Sequence, residues 1–404
     1  MLDAVSAVRN IRDSIRRGLA SMNLADAGML AVGVAMAIAI RIPLLPFRSS
    51  DFFNSLRPWY AIIREMGFSV FATDFTTYNP PYLYELYLIA RFFPDISNVL
   101  AIKIPSLVTD FICAYFVYKI VALRYPTKSF PVIAVFAFLF APTVVLNSAF
   151  WGQADVLFTA PLIACLYFLM VRRPNLAFIA FGISLAFKLQ AIFLLPLLLG
   201  LLLRGQVKWY HFLWILFVLF LAMVPAWIAG RPLLDLILVY AGQVKQYQLL
   251  EMSAPTVYTW LPDRGLTQRF FTVTGVMFTA VLGLVFAFLI YKGEARLTVP
   301  LLLKLALVSV LFMPFFLPKM HDRYFYPADV TAILYAFFFP QYFFVPVVIV
   351  LASFLAYHPT LFEVETVPMG YLAVAMFAML LIVAKDAVME LFSGRSSVDI
   401  LDTQ

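Results

Sequence analysis

Charge is what this chain of 404 residues has least of: only 13% of its residues are Asp, Glu, Lys or Arg, against 64% hydrophobic ones. A soluble domain has roughly 45–50% apolar residues, so a soluble enzyme, a nucleic-acid binder and a disordered scaffold are excluded. Cysteine is nearly absent. Cys113 and Cys165 both lie inside apolar runs, which excludes a disulfide framework. The +7 formal charge is not a nucleic-acid footprint, because the 29 basic residues are dispersed between apolar stretches. A glycine-rich phosphate loop and a dinucleotide-binding fingerprint are both missing, so a nucleotide-sugar site is not expected. What remains is an all-α integral membrane protein.

Residues 1–25 carry Arg9, Arg12, Arg16 and Arg17 and read as a cytoplasmic, amphipathic segment. The run Ala27–Phe47 follows and lacks a small-residue cleavage pattern, so it reads as a retained anchor. Further apolar runs are Val99–Leu123, Phe130–Leu146, Val156–Val171, Leu176–Phe187, Ala191–Leu203 and Trp209–Ala229. Phe270–Tyr291, Leu297–Leu317, Tyr324–Phe339, Tyr342–Tyr357 and Pro368–Ala384 complete the set. Pro81–Phe93 is too short, aromatic and charged to span. With the amphipathic stretch around Trp59 it supplies two interfacial helices in a first external loop, 51–98. Leu176–Leu203 reads as two short helices that turn at Lys188-Leu189-Gln190. A single helix would export Arg204 and Lys208. The count is about twelve spans over 26–386, with a cytoplasmic tail at 387–404.

This topology places the concentrated polar groups outside. They are Asp51, Asp74, Asn79, the turn Trp151-Gly152-Gln153-Ala154-Asp155, Lys188 and Gln190, a loop over Gly230–Arg269, and Lys319-Met320-His321-Asp322-Arg323. Asp51 at a span's outer end is a candidate general base for a hydroxyl. Lys188, His321 and Arg323, with Lys319 assisting, are candidate donors to a phosphate. A lysine amid apolar sequence is costly unless paired or hydrated, which singles out Lys188. Gln153, Asp155, Gln190, Asp74, Trp151 and Asn79 are candidate substrate contacts. Asp155 equally suits a helix N-cap, Trp151 an interfacial belt, and Asp51 a surface pairing with Arg48. Lys103, Asp110 and Lys304 raise the same question inside spans, and suit either structural pairing or a place near an interface. A base, cationic clamps and aromatic interfacial helices together suggest group transfer from a lipid phosphate carrier.

In the order and shared placement of Asp51, Pro80-Pro81, Trp151–Asp155, Lys188-Leu189-Gln190 and His321-Asp322-Arg323-Tyr324, the chain resembles the C-type (GT-C) multi-spanning glycosyltransferases. These use polyprenyl- or dolichyl-phosphate sugars. Within them it looks most like bacterial relatives of the second mannosyltransferase of GPI-anchor synthesis. It is more distantly similar to the dolichyl-phosphate-glucose glucosyltransferases. The resemblance runs from Ala27 to about Tyr335. It implies the GT-C fold, an inverting single displacement with the first-loop acid as base, a late-loop histidine near the donor phosphate, and mannose as first guess for the hexose. It also implies a bacterial inner membrane with the site facing the periplasm or exterior. Many relatives carry two adjacent acids in the first loop, whereas Phe52 follows Asp51 here. Either Asp74 supplies the second acid or none is needed, so dependence on Mg or Mn stays open. The acceptor is a glycolipid, a glycan or a protein. Rival readings are a transporter or flippase of a lipid-linked sugar, and a protein O-glycosyltransferase.

Overall fold

The structure, a computed structural model, describes residues 24–76, 78–127, 129–246, 249–261 and 265–393. Most of the N-terminal segment and the tail from residue 394 lie outside them. The first span is α1 (Leu24–Arg41), which ends in a 3-10 turn, Ile42–Leu44. The segment after it forms a π-helical turn, Phe52–Leu56, running into α2 (Arg57–Met66), and then α3 (Pro80–Phe92). Asn79 is extended and Pro80-Pro81 fill the first turn of α3, where the missing N–H groups cost nothing. The helix α4 (Asn98–Arg124) is capped by the Ser97 hydroxyl, which accepts from Leu100 N.

The apolar run from Phe130 is not one rod. It divides into α5 (Phe130–Leu139) and α6 (Pro142–Val145), the latter continued by a π-helical turn, Leu146–Trp151. The two halves bend by 53°. Pro142 at a helix start cannot donate to the preceding turn, which explains the break. Then come α7 (Asp155–Met170), α8 (Pro174–Phe187), a 3-10 turn (Leu189–Leu194) and α9 (Leu195–Leu203). The chain therefore does break at Lys188, whose backbone is extended. Next are α10 (Leu213–Ala229), α11 (Leu233–Gln246), α12 (Gly265–Lys292) and α13 (Val299–Phe316). The last four helices are α14 (Tyr326–Phe338), α15 (Phe344–Ala356), α16 (His358–Phe362) and α17 (Met369–Phe392).

Among the described residues, seven helices are long and apolar enough to cross a membrane, or eight if the bent pair is one span. Three shorter apolar helices add to these: Asp155–Met170, Pro174–Phe187 and Leu189–Leu203. The centre of the bundle is α13, where every residue from Leu301 to Phe315 is buried. It is enclosed by α14, α17 and the 3-10 turn after Lys188. Peripheral α10 and α12 instead expose Leu216, Phe217, Phe278 and Leu284. That outward apolar surface fits a lipid solvent rather than water.

Two expectations need correction. Gly230–Arg269 is more than a loop: it contains α11 and a short strand, β1 (Glu251–Met252). This strand pairs in parallel with β2 (Met320–His321), so Met252 faces His321 in register. The helix α17 also runs past residue 387, the expected start of the tail. Buried Lys304 on α13 explains the extension, because it pairs with Asp386 at 2.6 Å and Glu390 at 2.7 Å on the helix's final turns.

Candidate active site

Two π-helical turns frame the site, one directly after Asp51 and one ending at Trp151. Such turns widen a helix and leave carbonyls free for other partners. The second ends in Gly152 at φ +81, a left-handed position that suits glycine, so the chain reverses and presents Gln153 back toward Asp51. Asp51 Oδ2 accepts from Trp151 Nε1 at 2.9 Å and from Gln153 Nε2 at 2.6 Å. Both donors are almost fully buried. Trp151 is therefore no belt aromatic, since its ring packs edge-on against buried Tyr357, 5.4 Å away. Asp51 is held by these two donors and not by Arg48.

Behind this pair lies an ion cluster. Asp155 opens α7, yet its side chain caps nothing. It is fully buried, with one oxygen on Lys188 Nζ and the other 3.3 Å from Arg323 Nε and 2.9 Å from Asn147 Nδ2. A buried carboxylate is tolerable only with such partners. Arg323 also reaches Asp322, which in turn accepts from Thr360. Its guanidinium lies over the Trp151 ring at 5.2 Å, and Lys188 Nζ lies over Tyr324 at 5.1 Å. Trp151 thus touches both halves of the site: its N–H holds Asp51 and its face carries Arg323.

A cavity of ≈ 290 Å³ opens against Lys188 and Arg323. Gln190, Asn79 and Lys319 also line it, but most of its wall is apolar, including Phe187, Phe193 and Val276. Gln190 Oε1 is buried without a hydrogen-bond partner. Lys319 stands at φ +64, and its N–H donates to Leu250 O at 2.6 Å. The strand pair thereby fixes the Lys319–Arg323 segment.

His321 differs from its expected part. Burial, then the charges of Arg323 and Lys188, push its imidazole down to about 2. That shift favours the neutral imidazole, whose ring lies 5.1 Å from that of Tyr324. Asp74 is not brought to Asp51. It sits largely exposed and pairs with Arg231, so the expected second acid is engaged elsewhere. Asp155 is already engaged: its oxygens serve two cations and an amide. Asn147, Asp322 and Tyr324 are site members that the motif reading did not select. Asp322 and Tyr324 were visible beside Arg323. Asn147 enters only through the π-helical turn, for which the sequence carries no signal.

Among the described residues, no three His, Cys, Asp or Glu side chains converge where they could hold a metal ion. Mg and Ca favour several convergent oxygens, whereas Asp51 faces N–H donors and Asp155 faces cations. The site as built does not fit a divalent metal.

No protein-family model matches the sequence, and no curated protein matches it. Among solved structures the chain is similar to ArnT from Cupriavidus metallidurans in the apo state. The TM-score is 0.48 and the identity 16%, covering 91% of this chain and 72% of that one. It is similar also to the same protein bound to undecaprenyl phosphate, with a TM-score of 0.48, 15% identity, and coverage of 90% and 72%. With so few identical residues, chemistry has to be read from this chain's own side chains.

Proposed function

We propose that this chain is an inverting glycosyltransferase that moves a hexose, mannose as first guess, from a polyprenyl-phosphate carrier to an acceptor hydroxyl. One observation carries the reading: an apolar cavity ends on Lys188 and Arg323, and Arg323 stacks on the indole that also positions the Asp51 carboxylate. A lipid phosphate needs an apolar wall beside fixed cations, and an attacking hydroxyl needs a base held in place. This arrangement has both.

In the proposed step the phosphate rests on Lys188 and Arg323, with Lys319 at the cavity rim and neutral His321 as a hydrogen-bonding neighbour. Asp51 takes the acceptor's hydroxyl proton. The hydroxyl oxygen bonds to the anomeric carbon from the side opposite the phosphate, and the bond from that carbon to the phosphate oxygen breaks. The leaving group departs as polyprenyl phosphate, its charge met by the two cations. Asp155 prevents these cations from repelling each other before substrate arrives. Gln190 and Asn79 face the cavity and would orient sugar hydroxyls. Positioning and electrostatic preorganisation contribute most of the acceleration, since phosphate is already a competent leaving group.

In this reading the seven long helices, the bent pair, the three shorter helices and α14 make twelve passes. With that count the termini lie in the cytoplasm and the site faces the outside of a bacterial inner membrane.

The test is a donor screen with purified protein in lipid. Synthetic polyprenyl-phosphate hexoses are offered with a membrane lipid extract, and mass spectrometry reads free polyprenyl phosphate and the glycosylated product. Turnover of one donor that stops in Asp51→Asn supports the reading, and turnover unchanged in Asp51→Asn removes the assigned base. Broken helices also suit carriers; translocation of an intact donor across the bilayer would replace the enzymatic reading.

A further inference from the structure

The most densely bonded side chain near the site is one to which the mechanism gives no part. Lys103 lies on α4 and is only 2% exposed. Its Nζ donates to five main-chain carbonyls: Leu44 at 3.3 Å, Leu45 at 3.0 Å, Phe47 at 2.9 Å, Ala149 at 2.7 Å and Phe150 at 2.8 Å. Three N–H bonds are thus shared among five oxygens. The oxygens come from two chain segments, each at a helix end, that converge on this ammonium. Leu44 and Leu45 close the turn after α1, and Ala149 and Phe150 close the π-helical turn after α6. The last carbonyls of a helix lack intrahelical partners and carry its negative dipole end. Two such ends repel unless a cation lies between them.

These two segments are the ones that carry the base and its donors. The first leads from Phe47 through three residues to Asp51, and the second ends at Trp151 and Gln153. Other contacts follow the same seam. The rings of Phe47 and Phe150 stack at 3.6 Å, and the Ser49 hydroxyl points to Trp151 O at 3.5 Å. One turn further along α4, Ser106 Oγ donates to Gln153 O at 2.6 Å. Gly152 leaves room for the lysine stem: a Cβ there would come within 3.2 Å of Lys103 Cγ.

We propose that Lys103 is a built-in cation that clamps the end of the first span onto the Trp151–Gln153 turn, and thereby sets where the Asp51 carboxylate stands. It is a positioning residue for the reaction and touches no substrate. The clamp itself is independent of the transferase reading, while its kinetic consequence rests on that reading.

Lys103→Met keeps the stem and removes the ammonium. Hydrogen–deuterium exchange in lipid nanodiscs should show faster exchange over residues 44–53 and 146–155, with 319–324 unchanged. With the donor found in the screen, turnover should fall roughly 10²-fold, the cost of an ångström-scale misplacement. Donor KM should change less than turnover, since Asp155 at the start of α7 still pairs with Lys188 and Arg323. If Lys103→Met does not fold, Lys103→Arg keeps the charge, but its planar guanidinium cannot gather five oxygens at one point; the same exchange change and turnover loss are expected. Wild-type exchange over both segments in the folded variant overturns the clamp. Faster exchange with undiminished turnover overturns its positioning role. If no donor is turned over by the wild-type protein, the transferase reading fails, and the exchange data still decide the clamp.

Discussion

The indole N–H of Trp151 ends on Asp51 Oδ2, 2.9 Å away and a hundred residues earlier in the chain. That bond, with the one from Gln153, orients a carboxylate that the sequence alone places only loosely at a span's outer end. Trp151→Phe keeps an aromatic ring for Arg323 and removes the N–H donor together with the indole's second ring. Hydrogen bonds to a charged group contribute about 1.5–3 kcal/mol, so turnover should drop about ten- to a hundredfold. Donor KM should hardly move. Steady-state kinetics separates the two, and a KM effect without a kcat effect would assign Trp151 to the phosphate side.

Asp155 is the anion that lets two cations share a buried corner, with side chains exposed by 12% for Lys188 and 10% for Arg323. Asp155→Asn leaves both charges without it, and breaking a buried pair costs about 3–5 kcal/mol. The melting temperature in detergent should fall. Added polyprenyl phosphate should raise it more in the variant than in the wild type, because an external anion then takes the vacant role. Equal shifts in both proteins would mean that the lipid phosphate does not meet these cations.

Much of this was legible from the chain. The break at Lys188 followed from loop charges and from the cost of burying a lysine, and the helix at Pro80 followed from its proline pair. Asp51, Gln153, Asp155, Lys188 and Arg323 do come together. What could not be read were pairings set by three-dimensional closure. Trp151 reads as a belt aromatic because depth is all that a hydropathy pattern gives. Asp74 reads as a second acid because Arg231 is far away in sequence. His321 reads as a cation because burial beside Arg323 and Lys188 has no sequence signature. The Lys103 cage is made of carbonyls, which every residue has, so no motif could announce it.

Arg323 is planar, and that shape matters where it lies 5.2 Å from the Trp151 ring. Arg323→Lys keeps the charge but loses the stack and the fork that reaches Asp155 and Asp322 together. Cation–π contacts contribute about 0.5–2 kcal/mol, so donor affinity should weaken about two- to thirtyfold. Titration of the purified variant with polyprenyl phosphate measures it. Affinity equal to wild type would make the stack incidental.

His321 gives the protein an acid sensitivity of defined sign. Its ordinary value of 6.5 applies to the unfolded chain, while burial and the charges of Arg323 and Lys188 hold the folded imidazole near 2. As pH falls below 6.5, the unfolded state takes up a proton that the folded state refuses, so stability declines with acidification. The slope from this group approaches about 1.4 kcal/mol per pH unit. Asp322 acts the other way: burial pushes its carboxyl up to about 6 although Arg323 pulls it down. The folded state therefore holds that proton first, and stability rises as pH drops below about 6. Net curves mix the two, but the difference between wild type and His321→Asn isolates the histidine. Thermal unfolding in detergent should show the variant losing less stability than wild type as pH falls below 6.5. Parallel curves would mean that the imidazole is already protonated in the folded protein, and then His321 would be a charged member of the phosphate clamp after all.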